Sequence, residues 1–136
     1  MINPIEHSRT KEAANKYKVE PYVVAADIAG QKNLAGRGGW TWYTGSSSWM
    51  YEAGIKYILG LQIENNILHI NPCIPPDWKE YYIKYQYGNS IYNIRVINPN
   101  GKMTGINVLK LNGEEIENKT ITLNKEGGIY NIEVEI

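Results

Sequence analysis

The chain has 136 residues, with 14 basic and 14 acidic side chains and therefore no formal net charge. That balance argues against nucleic acid or an anionic membrane as partner, since either needs a clustered basic face, and no apolar run approaches the roughly 20 residues that span a bilayer. The single cysteine, Cys73, excludes an intrachain disulfide and fits a reducing, cytoplasmic setting.

The N-terminal stretch "MINPIEHSRT" has no apolar core of a signal peptide. Ser8 or Thr10 is placed to cap a helix through "KEAANKYK". Pro21 suits the first turn of a second helix, "EPYVVAADIA", ended by Gly30. A glycine- and tryptophan-rich loop follows. Then "SSSWMYEAGIKYILG" puts Trp49, Ala53, Tyr57 and Leu61 four apart, with Met50, Gly54 and Ile58 beside them, which predicts a helix with one apolar stripe. Glu52 and Lys56 are spaced for an ion pair, and Gly60 fits the left-handed position past the helix end.

Near residue 61 the period changes to two. "QIENNILHI" reads as a hairpin about Asn65-Asn66. In "YYIKYQYGNSIYNIRVI", Tyr81, Ile83, Tyr85 and Tyr87 alternate with Tyr82, Lys84 and Gln86. A Gly88-Asn89-Ser90 turn then leads to Tyr92, Ile94 and Val96. "INVLKLNGEEI" carries an Asn112-Gly113 turn signal, and Tyr130, Ile132, Val134 and Ile136 share one face. The fold class expected is α+β: helices over 1–60, then an antiparallel β-sandwich over 61–136. Between them "NPCIPPDW", with Pro72, Pro75 and Pro76, excludes a regular element. The row Tyr81, Tyr85, Tyr87 reads either as a half-buried sheet face or as a sugar-binding one.

The loop "GRGGWTWYTGSSSW" concentrates four glycines and three tryptophans in residues 36–49. Thr44-Gly45 stands just before the predicted helix, whose first amides lack intrahelical acceptors and carry partial positive charge. A hydroxyl and a missing side chain there make a cradle for a small oxyanion, phosphate above all. Thr44 or Ser46 acting only as a helix cap is the competing reading. Trp40, Trp42 and Tyr43 can stack on a sugar ring while Arg37 reaches an oxyanion. Alternatively, the two tryptophans point into the core.

The stretches "VEPYVVAADIAG", "GRGGWTWYTGSSSWMYEAGIKYILGL" and "INPCIPPDW" resemble, in order, landmarks in the C-terminal part of glycoside hydrolase family 94. That family contains inverting disaccharide and oligosaccharide phosphorylases and the phosphorylase-like domain of cyclic β-1,2-glucan synthases. The resemblance implies that residues 1–60 are the end of an (α/α)6 barrel and that the sandwich is its C-terminal companion. It also implies β-glucan or oligosaccharide and inorganic phosphate as substrates, no cofactor, and homo-oligomers. Phosphate attacks the anomeric carbon while a carboxylic acid protonates the leaving oxygen. The Thr-Gly pair that helps hold phosphate in the family maps onto Thr44 and Gly45.

The family's general acid and most of its phosphate and sugar ligands lie far upstream of this motif, so no catalytic residue is expected in this chain. His7 reads as structural. Nothing marks Glu20, Asp27 or Asp77 as the acid, and Ala26 stands near where cellobiose phosphorylases place a sugar-binding glutamine. The sequence therefore reads as a fragment that associates with the missing barrel portion or with another copy of itself. A stand-alone carbohydrate-binding module and a structural interaction module are the rival readings, and titration with β-glucans separates the first from the fragment. No metal site is expected from His69 and Cys73, which have no further ligand nearby.

Overall fold

The computed structural model describes residues 3–20, 22–42 and 44–136, and of Pro4 and Thr44 the backbone alone. The chain divides into two compact units, residues 1–51 and 52–136.

The first unit opens with two short helices. Helix α1 spans Pro4–Ser8, where Asn3 Oδ1 caps the first turn by accepting from Ile5 N at 3.0 Å. Helix α2 spans Lys11–Tyr17 and starts as the sequence predicts, Ala13 N–H donating to Thr10 Oγ1 at 3.1 Å. It stops at Lys18, which turns left-handed at φ 57° while its amide bonds the Ala14 carbonyl.

The helix expected over residues 20–29 is not there. Pro21, its predicted first-turn residue, lies outside the described residues, and residues 22–29 are irregular. Their amides find partners across the chain rather than four residues back: Ala26 N donates to Trp40 O and Ala29 N to Arg37 O, both at 2.8 Å. In return Gly36 N donates to Ala29 O and Gly39 N to Asp27 O. Residues 26–29 and 36–40 thus run side by side, with an antiparallel bridge at Ile28 and Gly38. The β-branched Val23, Val24 and Ile28 favour this extended course. Tyr17, fully buried, fastens it from below: its hydroxyl donates to Val23 O and accepts from Ala25 N, each at 3.0 Å.

Helix α3 spans Thr44–Glu52. The helical path then widens over Ala53–Ile58, where Leu59 N reaches back five residues to Gly54 O at 2.9 Å. The four-residue stripe assumed one uniform period. The wider turns change the angular step after Glu52, and Leu61 already belongs to a strand, which breaks the stripe; Trp49 and Tyr57 stand 77% and 66% exposed. Glu52 and Lys56 do pair, at 3.1 Å. Gly60 takes φ 77°, and the Cβ of any other residue there would fall 2.2 Å from the Asn71 carbonyl carbon. Glycine is therefore required twice over.

The second unit is the sandwich. A three-stranded sheet orders as β1 (Leu61–Glu64), β2 (Ile67–Ile70) and β7 (Thr120–Thr122). A five-stranded sheet orders as β3 (Glu80–Tyr87), β4 (Ser90–Ile97), β8 (Gly128–Glu135), β5 (Val108–Leu111) and β6 (Glu114–Glu115). The hairpin signals hold. Asn65 turns at φ 58° between β1 and β2, and Asn112 and Gly113 both take positive φ between β5 and β6. Every pair is antiparallel except β4 and β8, which run parallel and in register from Ser90–Gly128 to Ile97–Glu135. The predicted periodicities converge on one core, in which Leu68, Tyr92, Ile94, Val96, Leu109, Val134 and Ile136 are almost wholly buried. Tyr81, Tyr85 and Tyr87 pack against that core, which settles the row in favour of a half-buried sheet face. Tyr82 is on the opposite side of the sheet, 66% exposed.

Candidate functional site

The site predicted from the loop falls within the first unit. Gly45 is in the first turn of α3, exposed, and a Cβ added to it would meet nothing within 4 Å. The first turn of α3 contains no acidic residue. The space beside the Gly45 Cα is therefore open, and no carboxylate in the first turn opposes an anion there. The Thr44 side chain, expected to add a hydroxyl, lies outside the described residues, as does Tyr43.

Trp40 and Trp42 are each 70% exposed, so neither ring is packed in a core. Each is held by a carboxylate that the sequence did not connect to it. Trp40 N donates to Asp27 Oδ1 at 3.1 Å. That same carboxylate occupies the space beside Gly39, where a Cβ would come within 2.1 Å of Asp27 Oδ2, so the glycine lets the loop close on Asp27. Trp42 adopts a left-handed backbone, φ 65°, which is costly for a bulky residue. Its indole Nε1 donates to Glu20 Oε1 at 3.0 Å. Bonds from its own backbone amide and then from this indole hold the Glu20 carboxyl below the ordinary carboxylate range.

Trp42 shares a cleft of about 390 Å³ with Tyr22, Ser46, Ser47 and Met50, which brings its ring to the opening turns of α3. Arg37 is elsewhere. It borders a smaller cleft of about 170 Å³ with Lys16, Lys18 and Asn33. Of the predicted loop residues, then, Trp42 and Gly45 belong to one end of the unit, and Arg37 lines a separate basic hollow. Tyr22, 71% exposed, is the residue that sequence reasoning missed, because it was assigned to a helix that does not form.

The remaining candidates have structural roles. His7 stacks on Tyr17 with ring centres 4.0 Å apart. His69 is a strand residue between Gln62 and Thr120. Cys73 bridges to Thr104 and is exposed. Among the described residues no helix is long and apolar enough to cross a membrane.

The comparisons with known proteins point one way. A family model described as the catalytic domain of the glycosyl hydrolase 94 superfamily matches residues 1–60. The cyclic beta-(1,2)-glucan synthase NdvB of Rhizobium meliloti is 47% identical over 96 residues, which are 71% of this chain and 3% of that protein. The solabiose phosphorylase of Paenibacillus borealis is 30% identical over 135 residues, 98% of this chain and 16% of the relative. The N,N'-diacetylchitobiose phosphorylase of Vibrio proteolyticus is 34% identical over 119 residues, 87% of this chain and 14% of the relative. The chain thus spans less than a fifth of the length of each of these curated relatives. Three landmark stretches, a matching family model and these alignments agree: the sequence is that of a C-terminal part of glycoside hydrolase family 94.

Proposed function

We propose that this chain supplies part of the phosphate site of an inverting β-glucan or oligosaccharide phosphorylase or a β-1,2-glucan synthase, with Thr44 and Gly45 holding the anion. The observation that carries this reading is the open position at Gly45 in the first, acid-free turn of α3. Backbone amides at such a terminus bind phosphate without needing a cationic side chain. Trp42 and Tyr22 border the neighbouring cleft and offer faces for a sugar ring. In this reading Arg37 and Trp40 belong to the surrounding substrate loop.

Inversion places the attacking phosphate and the proton-donating acid on opposite sides of the anomeric carbon. The two carboxylates nearest the loop, Glu20 and Asp27, are bonded to Trp42 and Trp40 and so position the loop. The general acid therefore comes from the barrel portion, and residues 1–60 act as the terminal helices of that barrel, with 61–136 as its sandwich companion. No cofactor takes part, and the setting is cytoplasmic. The exposed Trp49 and Tyr51 on α3 favour association with that barrel portion or with a second copy of the chain.

The chain alone is then catalytically silent. A phosphorolysis assay with β-1,2-glucan and inorganic phosphate should release no glucose 1-phosphate, and detectable release would overturn the reading. A second reading, a carbohydrate-binding module built on the loop, is favoured by the exposure of Trp40 and Trp42. Sugar binding abolished by Trp40→Ala, with no phosphate response at Gly45, would support it instead.

A further inference from the structure

The outward face of the five-stranded sheet carries an arrangement that neither the loop nor the core uses. Strand register sets Tyr82 opposite Arg95, Arg95 opposite Glu133, and Glu133 opposite Lys110. These four side chains form one row across β3, β4, β8 and β5, about 14 Å long at the usual strand spacing. Two residues along, Lys84, Asn93 and Asn131 form a second row on the same face. Both rows line a groove of about 560 Å³, within the roughly 300–1,000 Å³ range of ligand clefts.

The chemistry of the groove is specific. Arg95 Nη2 pairs with Glu80 at 2.7 Å, and Lys110 Nζ with Glu133 at 3.6 Å. Lys110 is also opposite Glu115. The cations of this face, Lys84, Arg95 and Lys110, are outnumbered by its carboxylates, Glu80, Glu115, Glu133 and Glu135, so no positive field selects a phosphate or a polyanion. Tyr82 is 66% exposed, yet fixed: its hydroxyl donates to Glu80 Oε2 at 3.1 Å, and the Arg95 guanidinium stands 5.9 Å from the ring centre. The ring borders the groove, where a ligand can stack on it. Asn93 Nδ2 donates to Asn131 Oδ1 at 3.2 Å, which leaves Asn93 Oδ1 as an acceptor and Asn131 Nδ2 as a donor for a ligand. A pre-set aromatic platform, paired donors and acceptors, and no excess of positive charge together describe a partner with apolar ring faces and many hydroxyls.

We propose that this groove is a second carbohydrate site, centred on Tyr82, that binds a short neutral β-linked oligosaccharide on the sandwich and away from the loop. The choice of a sugar rests on the carbohydrate-active reading above, while the site itself involves none of the residues of the phosphate proposal.

The test is an amide-resolved NMR titration of the whole chain with β-1,2-linked glucotriose, carried out separately from a titration with inorganic phosphate. Saturable shifts are expected at Tyr82, Asn93, Lys110 and Asn131. Tyr82→Ala should weaken binding about tenfold or more, the cost of losing one aromatic anchor. Tyr82→Phe should keep most of it, and Trp42→Ala should leave it unchanged. Unaltered Val134 and Ile94 methyl signals would show that the variants keep their core. Shifts that centre on the loop, that survive Tyr82→Ala, or that never appear at millimolar sugar would overturn the proposal. Groove shifts without a phosphate response at Gly45 would remove the phosphate reading and leave this one standing.

Discussion

The indole of Trp42 donates to the carboxylate of Glu20 at 3.0 Å, from a tryptophan whose backbone is left-handed. The bond ties the glycine-rich loop to the chain that follows α2, and it is stronger when Glu20 is ionised. Because the folded-state pKa of Glu20 is depressed, its contribution to stability is whole above the unfolded value of about 4.5 and disappears as pH falls through the lower folded value. The Trp42 Nε1–H resonance should therefore titrate below pH 4.5, and Glu20→Gln should flatten that curve. A transition at or above 4.5 would contradict the assignment.

Tyr17 makes two hydrogen bonds with one buried hydroxyl, to Val23 O and from Ala25 N. Tyr17→Phe keeps the ring but leaves both backbone groups unmatched, a loss of about 1–3 kcal/mol. Denaturant unfolding of the first unit should show that loss. Hydrogen exchange at Ala25 should accelerate more than at Ala14, whose amide donates to the Thr10 carbonyl at the start of α2. An unchanged midpoint would mean that the hydroxyl does not hold the 22–29 segment.

Gly60 sits where the helical path of the second unit gives way to β1. Gly60→Ala combines a left-handed backbone with a Cβ placed 2.2 Å from the Asn71 carbonyl carbon. The expected loss is well above the roughly 1 kcal/mol of an average substitution. Gly45→Ala, with no neighbour within 4 Å, should by contrast cost nothing or stabilise α3 slightly. Thermal melts of the two variants should fall on opposite sides of this comparison. Equal melting points would refute it.

The sandwich was legible because the long strands β3 and β4 bury one face and alternate cleanly, as in Tyr92, Ile94 and Val96, and because Asn65 and Asn112-Gly113 announce their turns. Two features escaped local pattern. The parallel pairing of β4 and β8 is a matter of topology, on which the alternation of Ile132 and Val134 is silent. The segment after Pro21 has helical-looking composition, but its amides bond to residues 37 and 40, and a long-range partner outweighs a weak propensity. The same oversight hid Tyr22. The candidate pair Thr44-Gly45 is proposed from the helix start and from the family landmarks. The loop's supports, Glu20 and Asp27, could not be read from the sequence, because a carboxylate 13 or 22 residues from its tryptophan leaves no periodic trace.

The central claim is that the amides at the start of α3 hold inorganic phosphate. Replacing Gly45 by Asp separates that claim from simple helix capping, since an acidic side chain in a first helical turn stabilises the helix by about 0.3–1 kcal/mol while repelling an anion. An NMR titration of the chain with inorganic phosphate should move the Gly45 and Ser46 amides saturably, and Gly45→Asp should melt higher yet lose the response. Amides that ignore phosphate in the parent chain, or a response that survives Gly45→Asp, would contradict the account.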